Sequence, residues 1–250
     1  MVYKVYERIL KKHVLSSPIP NHIGIILDGN RRWAKNLGIS FEQAYRIGAK
    51  KVEEVVNWCR ELGVRSLTVF VLSTENYKNR SKEELDILLS ILKEHLNNLK
   101  EKTVDECIKI KFIGDLGALD TDIRELIKEV ERLYSCDGKF TLNIALAYGG
   151  KWDILNAARK VAMDVYKGKI KPENIDSEFF QRYLSTSHLE DQDLDLVLRT
   201  GGEMRISNFL LWQIAYSELV FLDVYWPDFR KVDFLRAIRI YQQRNRRFGS

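Results

Sequence analysis

The sequence predicts an α/β protein with a single domain, built on a six-stranded, mainly parallel central sheet flanked by helices. Three observations support this prediction. Short apolar runs recur along the chain, helical periodicities separate most of them, and 250 residues, 45% of them hydrophobic, are enough to bury one large core. Strands that alternate with helices favour parallel pairing, with helices covering both faces of the sheet. No internal repeat or low-complexity segment divides the chain.

The predicted strands are short apolar runs bounded by turn-forming residues, and they cover residues 23–27, 66–72, 108–113, 140–147, 194–198 and 219–224. The predicted helices carry apolar residues at helical spacing, and they cover residues 2–13, 44–62, 82–102, 120–134, 152–166, 177–184 and 232–246. Gly63 follows the second helix and is a typical C-terminal stop.

Residues 1–21 are expected to form an amphipathic helix and a linker ahead of a catalytic domain at residues 22–250. Valine, isoleucine and leucine occupy one side of this helix, and lysine and arginine occupy the other. Such a helix is compatible with an anionic membrane surface. Helices that pack on their own domain are commoner, so we favour that interpretation.

Composition excludes several classes of protein. The formal net charge of +5 arises from 40 basic and 35 acidic residues, which permits an anionic ligand without indicating nucleic acid. Cys59, Cys107 and Cys136 form no CxxC pair, so neither a disulfide framework nor a thiolate zinc site is expected. The four histidines show no metal-ligand spacing. Without an apolar run long enough to span a bilayer and without a signal peptide, we expect a soluble, cytoplasmic protein.

The stretch HIGIILDGNRRWAK, which begins at position 22, contains the most informative turn. The first strand ends at Asp28-Gly29-Asn30, and Arg31 and Arg32 follow at an expected helix N-terminus. The glycine, the amides and the guanidinium groups suit a bound anion. A carboxylate beside an anion is unfavourable unless a divalent cation lies between them, so Asp28 indicates a phosphate bound with Mg²⁺. An ordinary strand-turn-helix with aspartate as N-cap fits the same residues equally well.

A second polar turn follows the predicted strand at residues 66–72. Ser73, Thr74, Glu75 and Asn76 stand where the first strand has its Asp-Gly-Asn. Ligands of parallel α/β sheets collect outside the carboxyl ends of the strands, so the two turns are expected to share one crevice. The alternative is that these residues only shape a turn and cap the next helix.

The helix predicted at residues 82–102 carries a stripe of leucines, at Leu85, Leu88, Leu89, Leu92, Leu96 and Leu99. Such a stripe is ordinarily part of a core. It fits the wall of a tunnel for an apolar ligand equally well, and the sequence leaves both interpretations open.

The segment RTGGEMRIS follows the fifth predicted strand and indicates a second anion site. Arg199 and Arg205 can each bind a phosphate through paired N–H donors. Gly201 and Gly202 allow close backbone approach, and Ser207 supplies a hydroxyl. A glycine turn with arginines in surface ion pairs is the structural alternative, and it explains fewer of these residue types.

Glu218, at the start of the last predicted strand, is a candidate second carboxylate for the cation. Two anion sites and carboxylates for one hard cation describe a protein that brings together two phosphorylated molecules. In this order the motifs resemble the cis-prenyltransferases, the family of undecaprenyl and dehydrodolichyl diphosphate synthases. The resemblance extends from about His22 to Gly249 and rests on HIGIILDGNRRWAK, LSTEN, IGD, LNIALAYGGKWDI, LRTGGEMRISNFLLWQIAYSEL, and VYWPDF followed by RRFG.

This resemblance implies a Mg²⁺-dependent prenyltransferase. Its reaction would be the repeated condensation of isopentenyl diphosphate with an allylic primer, farnesyl or geranylgeranyl diphosphate. The product would be a long-chain polycis-polyprenyl diphosphate, the precursor of a glycosyl carrier lipid. The resemblance also implies a homodimer, an apolar tunnel in the fold, and peripheral membrane contact through the lipid product, with no nucleic-acid partner.

The resemblance further implies roles for individual residues. Asp28 and Glu218 would hold Mg²⁺, and Asp28 and Asn76 would be catalytic. Asn76 matches the family's position for proton removal, but an amide is a poor base, so we expect Asn76 to position a water or a diphosphate oxygen to take the proton. The implied substrate-binding residues are Gly29, Asn30, Arg31, Arg32, Trp33, Tyr45, Ser73, Thr74, Glu75, Arg80, Arg199, Arg205, Ile206, Ser207, Arg247 and Gly249. The last two match an Arg-x-Gly that, in the family's dimer, reaches the neighbouring subunit's isopentenyl site.

The chain departs from the family pattern at two places. Phe41 and Tyr45 stand where many bacterial members carry Arg and His, and Arg46 is a candidate to compensate. The run after Asn76 is one residue longer than the bacterial form, which leaves Lys78 and Arg80 as rivals for one basic role.

Two other classes of function predict other residues. A non-catalytic partner subunit would be expected to lose Asp28, Asn76 or the Arg199 cluster, and all are present. A nucleotide-dependent enzyme would be expected to carry GxxxxGK[ST] or GxGxxG, and neither occurs. DDxxD, the metal motif of the all-helical trans-prenyltransferases, is also absent from the sequence.

Overall fold

Six strands form one sheet, which confirms the predicted fold class. They are β1 His22–Ile26, β2 Ser66–Phe70, β3 Ile108–Ile113, β4 Phe140–Ala145, β5 Leu196–Arg199 and β6 Glu218–Phe221. Their spatial order is β3-β4-β2-β1-β5-β6, and every neighbouring pair is parallel. Every residue of β1, β2 and β5 is buried, which explains why these strands consist mostly of apolar residues.

The computed structural model describes residues 2–101, 108–135 and 138–244. The predictions made for Cys107, Cys136, Arg247 and Gly249 lie outside the described residues. The helices are α1 Val2–Leu15, α2 Asn30–Leu37, α3 Phe41–Leu62, α4 Thr74–Asn79, α5 Lys82–Glu101, α6 Thr121–Leu133, α7 Gly150–Tyr166, α8 Ser177–Gln181 and α9 Lys231–Gln243. No helix in the described part of the chain is both long and apolar enough to cross a bilayer.

Helix α4 is a correction to the sequence prediction. The hydroxyl of Ser73 accepts a hydrogen bond from the backbone N–H of Asn76 at 3.0 Å, so Ser73 caps a short helix of its own. The longer helix α5 has a separate start, where the hydroxyl of Ser81 accepts from the N–H of Glu84 at 3.3 Å. The residues after β2 therefore do not cap the leucine-bearing helix.

The leucine stripe of α5 packs into the main hydrophobic core. Leu89 and Leu96 are buried, and the other four leucines pack against the same cluster. Helix α1 lies against α9. There Val14 is fully buried, and the side-chain amide of Gln242 donates to its carbonyl at 2.8 Å. This is the packing on its own domain that we favoured for the N-terminal helix.

Candidate active site

The two predicted anion motifs leave the sheet side by side. In the parallel pairing of β1 with β5, Ile26 is aligned with Arg199, so the turns that follow both strands lie at the same edge. The side chains then meet: Nη2 of Arg199 donates to Oδ2 of Asp28 at 2.7 Å, although 171 positions separate these residues in sequence. The sheet thus builds one site from two distant segments.

Asp28 does not act as an N-cap. The N-cap of α2 is Gly29, whose φ of 108° lies in the left-handed region, and the cap makes no side-chain hydrogen bond. Both carboxylate oxygens of Asp28 face arginines instead, because Nη2 of Arg32 lies 3.3 Å from Oδ1. The side chain of Asp28 remains 28% exposed, so a ligand can still reach it.

Arg199 joins the two motifs from within. It is only 4% exposed, and its Nη1 donates to the hydroxyl of Ser207 at 2.7 Å and to the carbonyl of Arg205. Its Nε has no protein partner. The guanidinium therefore fixes Asp28 and the loop that carries Ser207 relative to each other.

The Gly-Gly turn serves packing between the loops. The N–H of Gly201 donates to the carbonyl of Val224 at 2.8 Å, and the N–H of Gly202 donates to the carbonyl of Leu222 at 2.9 Å. A Cβ added to Gly201 would lie 3.2 Å from the carbonyl carbon of Asp28. The glycines thus allow close approach to the neighbouring protein backbone, and these two amides are already occupied by protein carbonyls.

A third segment, at the start of α4, completes the site. The amide of Asn208 donates to Oε1 of Glu75 at 2.8 Å, and its carbonyl oxygen accepts from the N–H of Lys151 at 2.9 Å. Burial raises the pKa of Glu75, but hydrogen bonds from its own backbone, Asn208, Thr74 and Ser73 outweigh burial and hold that pKa below its usual value. Glu75 therefore stays charged at neutral pH.

Two adjacent cavities open at this edge of the sheet. The first, of about 650 Å³, is lined by Leu27, Asp28, Gly29, Asn30, Arg31, Arg32, Lys35, Ile39, Phe41, Tyr45, Arg80, Glu203 and Arg205. The second, of about 690 Å³, is lined by Ile26, Leu27, Asp28, Arg31, Phe70, Val71, Ser73, Glu75, Asn76, Arg80, Arg199, Arg205, Ser207 and Asn208. The residues that line both are Leu27, Asp28, Arg31, Arg80 and Arg205, so Asp28 is the acidic residue at their boundary.

Positive charge dominates both cavities. Five basic and two acidic side chains line the first, and four basic and two acidic side chains line the second. The first cavity also contains the first turn of α2, where backbone N–H groups lack intrahelical partners and the helix dipole favours an anion. Each cavity is therefore suited to a multiply charged anion such as a diphosphate.

Comparison with known proteins identifies the family. Residues 26–249 match the family model Prenyltransf, the undecaprenyl diphosphate synthase family. The chain belongs to this family. A Thermococcus kodakarensis protein named tritrans,polycis-undecaprenyl-diphosphate synthase (geranylgeranyl-diphosphate specific) is 49% identical over 99% of this chain and 94% of its own length. A Methanopyrus kandleri protein of the same name is 47% identical over 99% of this chain and 91% of its own length.

Solved structures agree with the sequence relatives. Lavandulyl diphosphate synthase from Lavandula x intermedia, in complex with dimethylallyl diphosphate, superposes with a TM-score of 0.89 at 36% identity, over 93% of this chain and 99% of that one. A probable undecaprenyl diphosphate synthase from Campylobacter jejuni gives a TM-score of 0.76 at 30% identity, over 93% of this chain and 100% of that one. As a member of this family, the chain is a prenyltransferase of the prenyl diphosphate synthase type.

The structure of this family member does not bring all predicted residues to the cavities. Trp33, Thr74 and Ile206 are not among the residues that line either one. Glu218 is the first residue of β6 and pairs in register with Leu196, the first residue of β5. It therefore lies at the amino-terminal end of the parallel strands, whereas Asp28 lies beyond their carboxyl ends. Within a single chain Glu218 therefore does not meet Asp28, and their sharing of one cation stays a prediction.

The two departures from the bacterial pattern now have a structural account. Arg80 lines both cavities, and Lys78 lines neither, so the geometry favours Arg80 for the basic role. Arg46 does not compensate for Phe41 and Tyr45, because it lines neither cavity and instead forms ion pairs with Glu42 of α3 and Glu94 of α5.

Sequence reasoning missed three polar side chains at the site. Asn208 directly follows Ser207, and its neighbours in the motif were a usable signal. Glu203, two residues before Arg205, forms ion pairs with Arg32 and Arg205. Glu84 lines neither cavity, but its Oε1 lies 3.6 Å from Nη1 of Arg80, which lines both.

Proposed function

We propose that this prenyltransferase elongates geranylgeranyl diphosphate with isopentenyl diphosphate in repeated cis condensations, giving a long-chain polyprenyl diphosphate that serves as precursor of a glycosyl carrier lipid. The observation that carries the proposal is the pair of basic cavities that share Asp28. Joining two diphosphates requires two anion sites close enough for their carbon ends to meet. The names of the archaeal relatives, which specify geranylgeranyl diphosphate, support the choice of primer.

Magnesium fits the donors present at the shared boundary. Asp28 offers a partly exposed carboxylate, and no cluster of three or more metal-ligating side chains occurs among the described residues. Mg²⁺ commonly takes one or two carboxylates and completes its shell with substrate phosphates and water, so Asp28 with a diphosphate is a sufficient donor set. When bound there, Mg²⁺ would help neutralise the charge that develops on the leaving diphosphate.

The arginines of the first cavity would hold the allylic diphosphate. Arg31 and Arg32 lie in the first turn of α2, and Arg80, the residue that follows α4, lines the same cavity. As the bond between the allylic carbon and the diphosphate oxygen breaks, these guanidinium groups stabilise the growing negative charge on that oxygen. The second cavity would hold isopentenyl diphosphate through Arg205, Ser207 and Arg199, whose Nε has no protein partner.

Carbon-carbon bond formation completes the step. The terminal double-bond carbon of isopentenyl diphosphate attacks the allylic carbon as the diphosphate leaves, and a proton is lost from the neighbouring methylene to form the new double bond. Asn76 lines the second cavity, where its amide can position the isopentenyl group. Because an amide has no basic lone pair at neutral pH, the proton passes to a water or a diphosphate oxygen.

The proposal extends to assembly and surroundings. We include a homodimer in which Arg247 and Gly249 reach the partner's isopentenyl site, and peripheral membrane contact through the lipid product. The main support for both is the resemblance to the family.

Turnover with a panel of primers tests the proposal. Purified protein is incubated with labelled isopentenyl diphosphate and each of dimethylallyl, geranyl, farnesyl and geranylgeranyl diphosphate, with Mg²⁺ or with a chelator. Geranylgeranyl diphosphate should give the highest kcat/KM, the product should be many units longer than the primer, and the chelator should abolish it. No product with any primer would refute the proposed reaction, and an equal preference for farnesyl diphosphate would refute the primer.

A further inference from the structure

Glu84 is a buried acidic side chain that the proposed chemistry does not use. It is the third residue of α5, and it is 7% exposed. Its Oε1 accepts a hydrogen bond from the hydroxyl of Tyr45 at 2.6 Å. Two arginines approach the same oxygen, with Nε of Arg31 at 3.7 Å and Nη1 of Arg80 at 3.6 Å. One carboxylate oxygen thus faces three donors, which come from α2, from α3 and from the turn between α4 and α5.

The same two arginines rest on aromatic rings. The guanidinium carbon of Arg31 lies 5.6 Å from the centre of the Phe41 ring, and that of Arg80 lies 5.7 Å from the centre of the Tyr45 ring. Both distances allow a cation-π contact. Phe41 and Tyr45 are the positions where the chain departs from the bacterial pattern, so these aromatics support arginines where bacterial members supply further cations.

A buried carboxylate is costly unless its partners satisfy it. Burial raises the pKa of the Tyr45 phenol well above its usual value, although Arg80 opposes this shift, so the phenol keeps its proton and donates to Glu84. The N-terminal turn of α5 also favours a negative charge at this position. The arrangement is therefore stable with Tyr45 neutral and Glu84 accepting.

We propose that Tyr45 and Glu84 form a positioning pair, which sets the guanidinium groups of Arg31 and Arg80 for the allylic diphosphate. This inference rests on the proposed function, because it assigns the first cavity to that diphosphate. Arg31 has a side chain that is 60% exposed, and a long exposed side chain loses much rotamer freedom when it is ordered on a ligand. Glu84 reduces that loss by holding the arginine before the ligand arrives.

A different role for Glu84, as a counter-charge only, predicts the opposite sign. If Glu84 only lowered the positive potential of the cavity, the Glu84→Gln variant would bind the diphosphate more tightly. If Glu84 positions the arginines, the Glu84→Gln variant binds the diphosphate less tightly. The direction of the change in affinity therefore separates the two roles.

The test uses Glu84→Gln, Tyr45→Phe and their double variant, with Glu94→Gln as control. Glu94 also lies on α5 and accepts from Arg46 of α3 at 2.5 Å, but both side chains lie outside the cavities. We measure kcat and the KM of each substrate, and we measure binding of inorganic diphosphate by calorimetry. The KM for geranylgeranyl diphosphate should rise about tenfold in Glu84→Gln, the loss expected when the ligand itself must order two arginine side chains.

The remaining outcomes are equally definite. Tyr45→Phe should change KM in the same direction, the double variant should show less than the product of the two effects, and Glu94→Gln should match the wild type. An unchanged or lower KM in Glu84→Gln, or an equal rise in the control, overturns the positioning role. If Glu84→Gln does not fold, Tyr45→Phe decides alone, with an unchanged KM against the pair.

The calorimetry separates this inference from the proposed function. A wild type that makes no prenyl product refutes the function, and the pair is then judged by inorganic diphosphate alone. Binding that is weaker in Glu84→Gln and Tyr45→Phe than in the wild type and Glu94→Gln supports the pair. Equal binding in all four proteins overturns it.

Discussion

Replacing Asp28 with asparagine removes the negative charge from the residue that lies between the two cavities, at almost unchanged volume. The carboxylate accepts from Nη2 of Arg199 at 2.7 Å, and Arg199 is only 4% exposed. The variant therefore leaves a buried guanidinium beside a neutral amide. The thermal stability and the turnover rate should both fall, and the two effects can be measured separately.

The structure sets the size of each effect. A hydrogen bond to a charged group contributes about 1.5–3 kcal/mol, and we take about 1.5 kcal/mol because Asp28 is 28% exposed and water can replace part of the interaction. The ion pair with Arg32 adds little, since that side chain is 41% exposed. A loss of this size lowers Tm by about 3–6 °C in a chain of this length. The variant should also bind Mg²⁺ more weakly, and the charge on the leaving diphosphate is then less well neutralised. This loss should lower kcat at least about 100-fold.

Thermal unfolding followed by circular dichroism gives the first quantity, and single-turnover formation of the first elongation product gives the second. Both proteins are assayed well below their unfolding transitions, so that unfolding does not contribute to the loss of rate. An unchanged Tm would show that the contact between Arg199 and Asp28 does not stabilise the fold. A variant with the kcat of the wild type would show that Asp28 takes no part in the reaction.

Two further predictions concern the turn after β5 and the histidines. Gly201→Ala should lower kcat/KM and destabilise the protein by about 1–3 kcal/mol, because φ is +88° and the new Cβ would lie 2.8 Å from Nη2 of Arg32 and 3.2 Å from the carbonyl carbon of Asp28. Burial lowers the pKa of His22 and His188 from 6.5 to about 4, so both stay neutral in the folded protein. Since the unfolded chain takes up these protons first, the free energy of unfolding should fall by about 1–2 kcal/mol per pH unit as pH drops from 6.5 towards 4.

Each of these predictions has a matched test. Gly63 has a similar φ of +81° with no atom within 4 Å of an added Cβ, so Gly63→Ala measures backbone strain alone. Equal losses in the two glycine variants would argue against a close approach at Gly201. For the histidines, urea unfolding at several pH values should show a slope that is shallower in His188→Gln. A wild-type stability that does not change between pH 6.5 and 5 would contradict the assignment.

The sheet and its reactive edge could be predicted from the sequence because the determining signals are local. Continuous apolar runs mark the buried strands, and the polar residues at their carboxyl ends mark one crevice. Helix α4 was not predicted because Thr74–Asn79 has six residues, too few to show helical periodicity. Asp28 and Ser73 lie close together because both follow the carboxyl ends of parallel strands. Glu218 is the first residue of its strand, so the same rule places it at the opposite, amino-terminal end of the sheet.

Side-chain pairings across the fold could not be predicted. Arg199 looked like a phosphate ligand, and the parallel pairing of β1 with β5 turns part of its guanidinium towards Asp28. In the sequence, Glu84 is one of two glutamates near the start of a predicted helix. Its contact with Tyr45, which lies 39 positions away, forms only in the folded chain. Such contacts depend on which strands and helices are neighbours, and the sequence does not state that order.

The most direct test of the account is a structure with Mg²⁺, isopentenyl diphosphate and an unreactive thio analogue of geranylgeranyl diphosphate bound together. We predict one diphosphate in each cavity, with the analogue beside Arg31 and Arg80, isopentenyl diphosphate beside Arg205 and Ser207, and the metal on Asp28. Diphosphates bound away from these cavities, or a metal that does not touch Asp28, would contradict it.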